Sequence, residues 1–346
     1  SELRTDSSDE VHRQCRQSDH MMRLITAATC AAMLLSSCTR DNPKGEFRVG
    51  LVTPGSIADA AWNSGAYAGL QQIRDSLGVA VSHVEARTPA EQEEALRTYA
   101  AQGYSLVFGH GFEFQGSAER VSEQFPTTIF VVTSGERVAQ NVSPLIFRLH
   151  EASYLAGMVA GGMSRTGTIA FVGGIELPPI KLAEDAWEAG ARRMNPLIVP
   201  RSTYLNTFDD VAAGREAALA LLQAGADMFH HNADQAALGT FQAVKESPSA
   251  YIFGANLDQS SLAPERVLGS AVIDLPRAFL TVAREAKAGG FVPKVESFGL
   301  KSGVIRYDPN PALLSSVPVP LQAAVNAARD SIVAADTGAT AARPAQ

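Results

Sequence analysis

From residue 47 onward, short apolar runs alternate with longer stretches in which apolar positions recur at helical spacing. Residues 47–53 (FRVGLVT) read as a buried strand, and Pro54-Gly55 separates them from a helix expected over 63–77. Strands are expected over 79–84, 106–108 and 128–133, with helices between them over 89–102 and after Gly109-His110-Gly111. The cycle then restarts. An Ala- and Gly-rich helix over 151–164 is followed by a strand over 168–173, a helix over 181–194, a strand over 198–204 and a helix over 209–224. Strands at 227–231 and 251–254 follow. Apolar strands separated by helices predict βαβ units and parallel sheets. With 346 residues, two successive doubly wound lobes fit better than one long sheet. The expected fold class is therefore α/β, two parallel-sheet lobes with a cleft between them. Runs at 267–273 and 297–307 are expected to complete the lobes by crossing between them. The first lobe is assigned 47–148 with about 255–292, and the second 149–254 with about 293–333. The Ala-, Thr- and Pro-rich stretch 334–346 reads as a disordered tail.

The segment before residue 47 has a different character. Residues 1–20 are polar, with charges of both signs; Met21-Met22-Arg23 then introduces an apolar run over 24–35, followed by Ser36-Ser37-Cys38. A cationic start, a short apolar run and small residues describe a secretory signal. The run falls short of the ~20 apolar residues that a membrane span needs. Leu35-Ser36-Ser37-Cys38 resembles the lipobox of bacterial lipoproteins. That resemblance implies removal of 1–37, lipid on the Cys38 thiol and a short tether over 38–46, with the domain held outside the cytoplasm. Thr39 follows the cysteine, which leaves the membrane leaflet open. The other cysteines are Cys15 and Cys30, so no residue after Cys38 can supply a disulfide, a zinc thiolate or a cysteine nucleophile.

A formal charge of −7 argues against nucleic-acid binding. His230 and His231 are adjacent on an expected strand and point to opposite faces, so they cannot share one metal ion. His83, His110 and His150 lie on separate elements. No G-x-S-x-G elbow or phosphate-binding loop is present. No cofactor, metal or catalytic residue is assigned, and the expectation is a binding protein rather than an enzyme.

Ligand contacts in such folds come from loops leaving strand C-termini, which singles out 54–63, 109–116 and 254–259. On the first loop, Trp62 and Asn63 admit two readings: core packing with a helix cap, or a flat face and an amide for a ring-shaped ligand. Asp59 sits on the same loop. On the second, the glycine spacing is not G-x-G-x-x-G and follows the third strand, which rejects a dinucleotide site. Gly111, Phe112 and Glu113 are its candidates, although Phe112 and Phe114 also suit packing between helices. Asn256, Asp258 and Gln259 come from the third loop, and Asn232 directly follows the strand over 227–231.

Taken together, these stretches resemble the basic membrane protein family, the PnrA-like nucleoside-binding lipoproteins of ABC transporters. The carriers, in order, are 55–65 (GSIADAAWNSG) against the family's G-x-x-x-D-x-x-[FW]-N, and 109–114 with Phe125-Pro126. Next come 151–157 (EASYLAG), 171–174 (FVGG), Gly190-Ala191 and Phe208-Asp209-Asp210. The last are 225–227 (GAD), 254–259 (GANLDQ) and 299–304 (GLKSGV). The resemblance implies a type I periplasmic-binding-protein fold whose lobes close on a purine ring held between two aromatics, here Trp62 and Phe208. It implies delivery to a permease with its ATPase, and a monomer. Three positions depart from the pattern. Gly116 stands where a base-facing Asp is usual, Asn256 where an Asp faces the ribose, and Ile273 near an expected Lys. Glu113 offers a replacement for the first. The expected ligand is thus a purine nucleoside, a nucleobase or a related planar heterocycle. The alternatives are a ligand-sensing lipoprotein that signals to a membrane partner and, behind it, an exported nucleoside hydrolase.

Overall fold

The computed structural model describes residues 45–336; the segment expected to be a signal, Cys38 and residues beyond 336 lie outside them. The first lobe begins with β1 (Arg48–Thr53), α1 (Trp62–Leu77), β2 (Ala80–Glu85), α2 (Pro89–Ala101) and β3 (Leu106–His110). It continues with α3 (Gln115–Ser122), β4 (Ile129–Thr133) and β5 (Val142–Phe147). Its first two helices start where side chains take up the unpaired N–H groups of a first turn. Thr88 forms a reciprocal capping box with Glu91 at the start of α2, and Pro89 needs no N–H there.

The second lobe holds α4 (Leu149–Met163), β6 (Thr168–Gly173), α5 (Pro178–Met194), β7 (Val199–Tyr204) and α6 (Val211–Gln223). Then come β8 (Met228–Asn232), α7 (Ala237–Glu246), β9 (Tyr251–Asn256) and β10 (Val267–Ile273). After α8 (Leu275–Lys287) and β11 (Glu296–Phe298), the chain closes with β12 (Ile305–Pro309) and α9 (Val319–Ala335). The sheets are six-stranded, with orders β11-β5-β4-β3-β1-β2 and β12-β10-β9-β8-β6-β7. Pairing is parallel throughout except for β12, which runs antiparallel to β10. In the second lobe, α4 and α5 approach until backbones touch: a Cβ on Gly157 would stand 2.1 Å from the Trp187 carbonyl oxygen, and one on Gly190 2.0 Å from that of Tyr154. No larger residue fits at either position.

Two boundaries differ from the sequence reading. The first lobe was expected to resume at about 255, yet β10 pairs with β9 and β12, which keeps 255–273 in the second sheet. All seven residues of β10 are buried, as a central strand requires. The single strand expected over 297–307 is two: β11 joins β5 of the first sheet, and β12 joins β10 of the second. Between them the chain turns at residues 300–302 and Gly303, whose φ is +70°. Of the expected tail, Ala334 and Ala335 end α9, and 337–346 lie outside the described residues.

The chain thus passes between lobes at Arg148, at Asp274 and over 299–304, and these passages are tied to one another. The Arg148 N–H donates to the Phe298 carbonyl at 2.8 Å, and the Asp274 N–H to that of Val304 at 2.7 Å. Leu300 N–H donates to the Glu151 carboxylate at 2.7 Å. Among the described residues, no helix is long and apolar enough to cross a membrane.

Candidate ligand-binding site

Between the lobes lies a cavity at the C-terminal ends of the strands, where parallel sheets place their ligands. The first lobe's wall is built from the loop before α1. Asp59 is buried, and its carboxylate accepts the N–H groups of Ala61 (3.0 Å), Asn63 (2.7 Å) and Ser64 (2.9 Å). That clamp fixes Trp62 at the first position of the helix. Trp62 stacks on His110 with ring centroids 4.0 Å apart and meets the edge of Phe147 at 6.0 Å. His110 donates from Nε2 to the Trp62 carbonyl at 3.1 Å, and its Nδ1 therefore accepts the Thr133 hydroxyl at 3.0 Å. Burial lowers the His110 pKa to about 3, so the ring is a neutral prop. Beside it, Gly111 has φ +149°, and a Cβ there would stand 2.4 Å from the Glu113 carboxyl. Glycine lets the Glu113 side chain fold back over the loop.

The second lobe's wall comes from the ends of β6, β8 and β9. Phe208 lies against Gly174, where a Cβ would stand 2.3 Å from its ring. Asp234 and Asn256 are buried and hold left-handed backbones, φ +45° and +68°, which side-chain-bearing residues rarely adopt. Strain of this kind concentrates where a fold holds a side chain for a purpose. Asn256 donates from Nδ2 to Asp234 Oδ1 at 3.2 Å and to Asn232 Oδ1 at 3.5 Å.

The lining is mainly apolar: Trp62, Phe112, Phe147, Leu149, Ile180, Phe208 and Ile273 surround Glu113, Asn232, Asp234 and Asn256. The cavity volume is about 80 Å³, room for roughly five to eight waters at the ~10–15 Å³ each requires. That is space for one small molecule rather than a peptide. Burial pushes the Asp234 carboxyl well above the usual carboxylate range, and the negative charges of Asp59 and Glu113 add to it. The Trp62 N–H across the cleft and the Asn256 amide oppose that rise. Glu113 is exposed by surface area and lines the cleft, where the surrounding protein desolvates its carboxyl and raises its pKa. The lobes also meet directly. Gln259 donates from Nε2 to the Ala60 carbonyl at 3.3 Å, and Arg87 pairs with Asp209 at 3.2 Å.

Of the residues expected at a site, the structure brings Trp62, Gly111, Phe112, Glu113, Phe208, Asn232 and Asn256 together around this cavity. Asp59, Asn63, Asp258 and Gln259 are not among its lining residues. Asp59 is the clamp described above. Asn63 is buried behind Trp62, its Oδ1 without a hydrogen-bond partner among the described residues. Asp258 accepts the Ser260 N–H at 3.0 Å. Gln259 accepts from His231 and from the Ala255 N–H, both at 2.9 Å. Of the departing positions, Ile273 lines the cavity and Gly116 does not. Sequence reasoning missed Asp234 and Phe147. Phe147 ends β5, and Asp234 lies two residues past β8, just beyond the Asn232 that the strand-end rule picks out. His230 and His231 do face opposite sides of the sheet, one against Trp187 and the other against Phe241. Among the described residues, no group of three or more potential ligands could hold a metal ion.

Comparison with known proteins agrees with this architecture. The chain is 31% identical over 274 residues to basic membrane protein A of Borreliella afzelii, covering 77% of this chain and 84% of that one. An ABC transporter solute-binding protein of Aeropyrum pernix K1 superposes with a TM-score of 0.78 at 22% identity, over 84% of this chain and 92% of that one. One from Conexibacter woesei superposes with a TM-score of 0.69 at 26% identity, over 84% and 97%. The model of the Bmp family, described as ABC transporter substrate-binding protein PnrA-like, matches residues 47–330. With two parallel-sheet lobes around a small apolar cavity and a family match over nearly all the described residues, the chain belongs to the Bmp family of PnrA-like ABC transporter substrate-binding proteins.

Proposed function

We propose that the protein captures a planar heterocycle of the purine class, as nucleoside or free base, between its lobes and delivers it to an ABC permease and its ATPase. The observation that carries this reading is the pair of aromatic side chains, Trp62 from one lobe and Phe208 from the other, lining one small cavity. Trp62 already has His110 stacked on one face, so a ligand ring would extend an existing stack. Each aromatic contact adds about 0.5–1.5 kcal/mol beyond burial of area. Asn232 and Asn256 supply amides for the ring edge, while Asp59 and Gln259 act by positioning the loops. Lipid on Cys38 would hold a monomeric domain at the outer side of a membrane.

The test is a thermal-shift and calorimetric screen of the purified protein against nucleosides, nucleobases and unrelated sugars and amino acids. A true ligand at 100 times its Kd adds about 2.7 kcal/mol of stability. Stabilisation by sugars or amino acids alone, with none from any planar heterocycle, overturns the reading.

A further inference from the structure

Resting on the stacking reading above, we propose that the cleft selects heterocycles whose ring carries a positive charge, because Glu113 and Asp234 place two carboxylates against an aromatic box that holds no cationic side chain among its described lining residues. The two carboxylates come from opposite lobes, so a ring between the lobes meets both. Neither takes part in an ion pair among the described residues: every such pair involves other acids, and the one that bridges the lobes, Arg87 with Asp209, is exposed. The charged groups acting on Asp234 are Asp59 and Glu113, all of one sign. The Asn256 amide points the same way. Asn256 spends its Nδ2 on Asp234 and Asn232, which leaves its Oδ1 as an acceptor. The cavity is therefore rich in acids and acceptors, with the Asn232 Nδ2 as an amide donor and no cationic side chain among its described lining residues to welcome an anion.

A neutral ring would seal these acids away from water with no partner for the charge of either, so they stay protonated and the ligand gains no charge pairing from them. A cationic ring supplies the missing partner, and its charge is also attracted to the faces of Trp62 and Phe208. Burial raises the pKa of both carboxyls in the ligand-free protein, so a bound cation should drive protons off them. The left-handed backbones at Asp234 and Asn256 hold this polar edge in place.

The experiment compares two isomers of equal size by calorimetry at neutral pH: 1-methyladenosine, whose ring is cationic, and N6-methyladenosine, whose ring is neutral. N1-methylnicotinamide against nicotinamide repeats the comparison on one ring. The cation is expected to bind at least about tenfold more tightly, with proton release visible as a dependence of the heat on buffer. Glu113→Gln and, separately, Asp234→Asn should each cut the cation-over-neutral ratio of affinities by about threefold or more. Equal affinities, a preference for the neutral isomer, or a preference untouched by Glu113→Gln overturns the charge proposal. In those outcomes neutral purines still bind and the stacking reading stands. Failure of every planar probe, charged or neutral, overturns both.

Discussion

The two walls of the cleft are built on opposite plans. The first lobe offers a platform whose parts are fixed before any ligand arrives: Asp59 clamps the loop, and Trp62 is packed against His110 and Phe147. The second lobe offers a polar edge, Asn232, Asp234 and Asn256, held by left-handed backbones and mutual hydrogen bonds, with Phe208 resting on Gly174. Stacking needs flatness and rigidity, which packing supplies. Recognition of a ring edge needs directed polar groups, which ordinary strand geometry does not present to a cleft. The strain of the second wall is the cost of presenting them.

The sharpest way to break this comparison is Asp59→Ala. It leaves three N–H groups at a buried helix start without their acceptor and should lower stability by about 2–4 kcal/mol, measured by denaturant unfolding. Affinity for planar ligands should fall with it, because the platform loses its clamp. Intact affinity in a destabilised variant would mean that Trp62 does not depend on Asp59.

Protons separate the walls next. Burial lowers the pKa of His110 and His230 to about 3, and of His150 and His231 to about 4. A lowered folded value means stability is complete above the unfolded pKa near 6.5 and is lost as pH falls toward the folded values. Each such histidine contributes about 1.4 kcal/mol per pH unit across that window. Asp234 works in the opposite sense: its raised pKa gives stability that is complete below the ordinary carboxylate range and lost as pH rises through the folded value. Unfolding free energy measured from pH 7 to pH 4 should therefore decline, and decline more steeply in Asp234→Asn. An identical profile in that variant would remove Asp234 from the proton balance.

Ligand affinity comes third. Trp62→Ala should weaken binding of a planar heterocycle by about tenfold or more, and Phe208→Ala by less, about three- to tenfold. Trp62 is half of an existing stack, whereas Phe208, packed against Gly174, pairs with no other ring among the described residues. Equal losses in a calorimetric titration would mean that the second wall is as rigid as the first.

Much of this was legible in the sequence for a physical reason. Buried strands such as β1 and β6 are apolar on both faces, and caps such as Thr88 with Glu91 are local. β5 escaped because Pro144 breaks the strand pattern, although parallel pairing with β4 accommodates it. The crossings after β10 and β11 escaped because lobe membership depends on which distant strand is the neighbour, and apolarity does not encode that. In the cleft, residue types pointed to loops that the structure brings to one cavity, but not to roles. Asp59 and Gln259 resemble ligand contacts in sequence because buried polar residues serve positioning and binding alike. Asp234 gave no periodic signal at all; only its left-handed backbone, invisible in the sequence, sets it apart.

The smallest expected effect concerns how the lobes stay together. Arg87 and Asp209 bridge them at 3.2 Å, but both side chains are more than half exposed, where ion pairs contribute little. Of the other contacts, Gln259 to the Ala60 carbonyl is partly buried, and the Asp234 carboxyl facing the Trp62 backbone N–H is shielded from water. Closure should therefore rest on the walls and on the ligand between them, not on the rim. Asp209→Asn keeps the shape of the side chain and removes its charge, so affinity should change by less than about threefold. Raising the salt concentration should change it by a similar amount, since screening acts on exposed pairs first. A tenfold loss, or a strong dependence on salt that vanishes in Asp209→Asn, would shift the work of closure from the two walls to their edge.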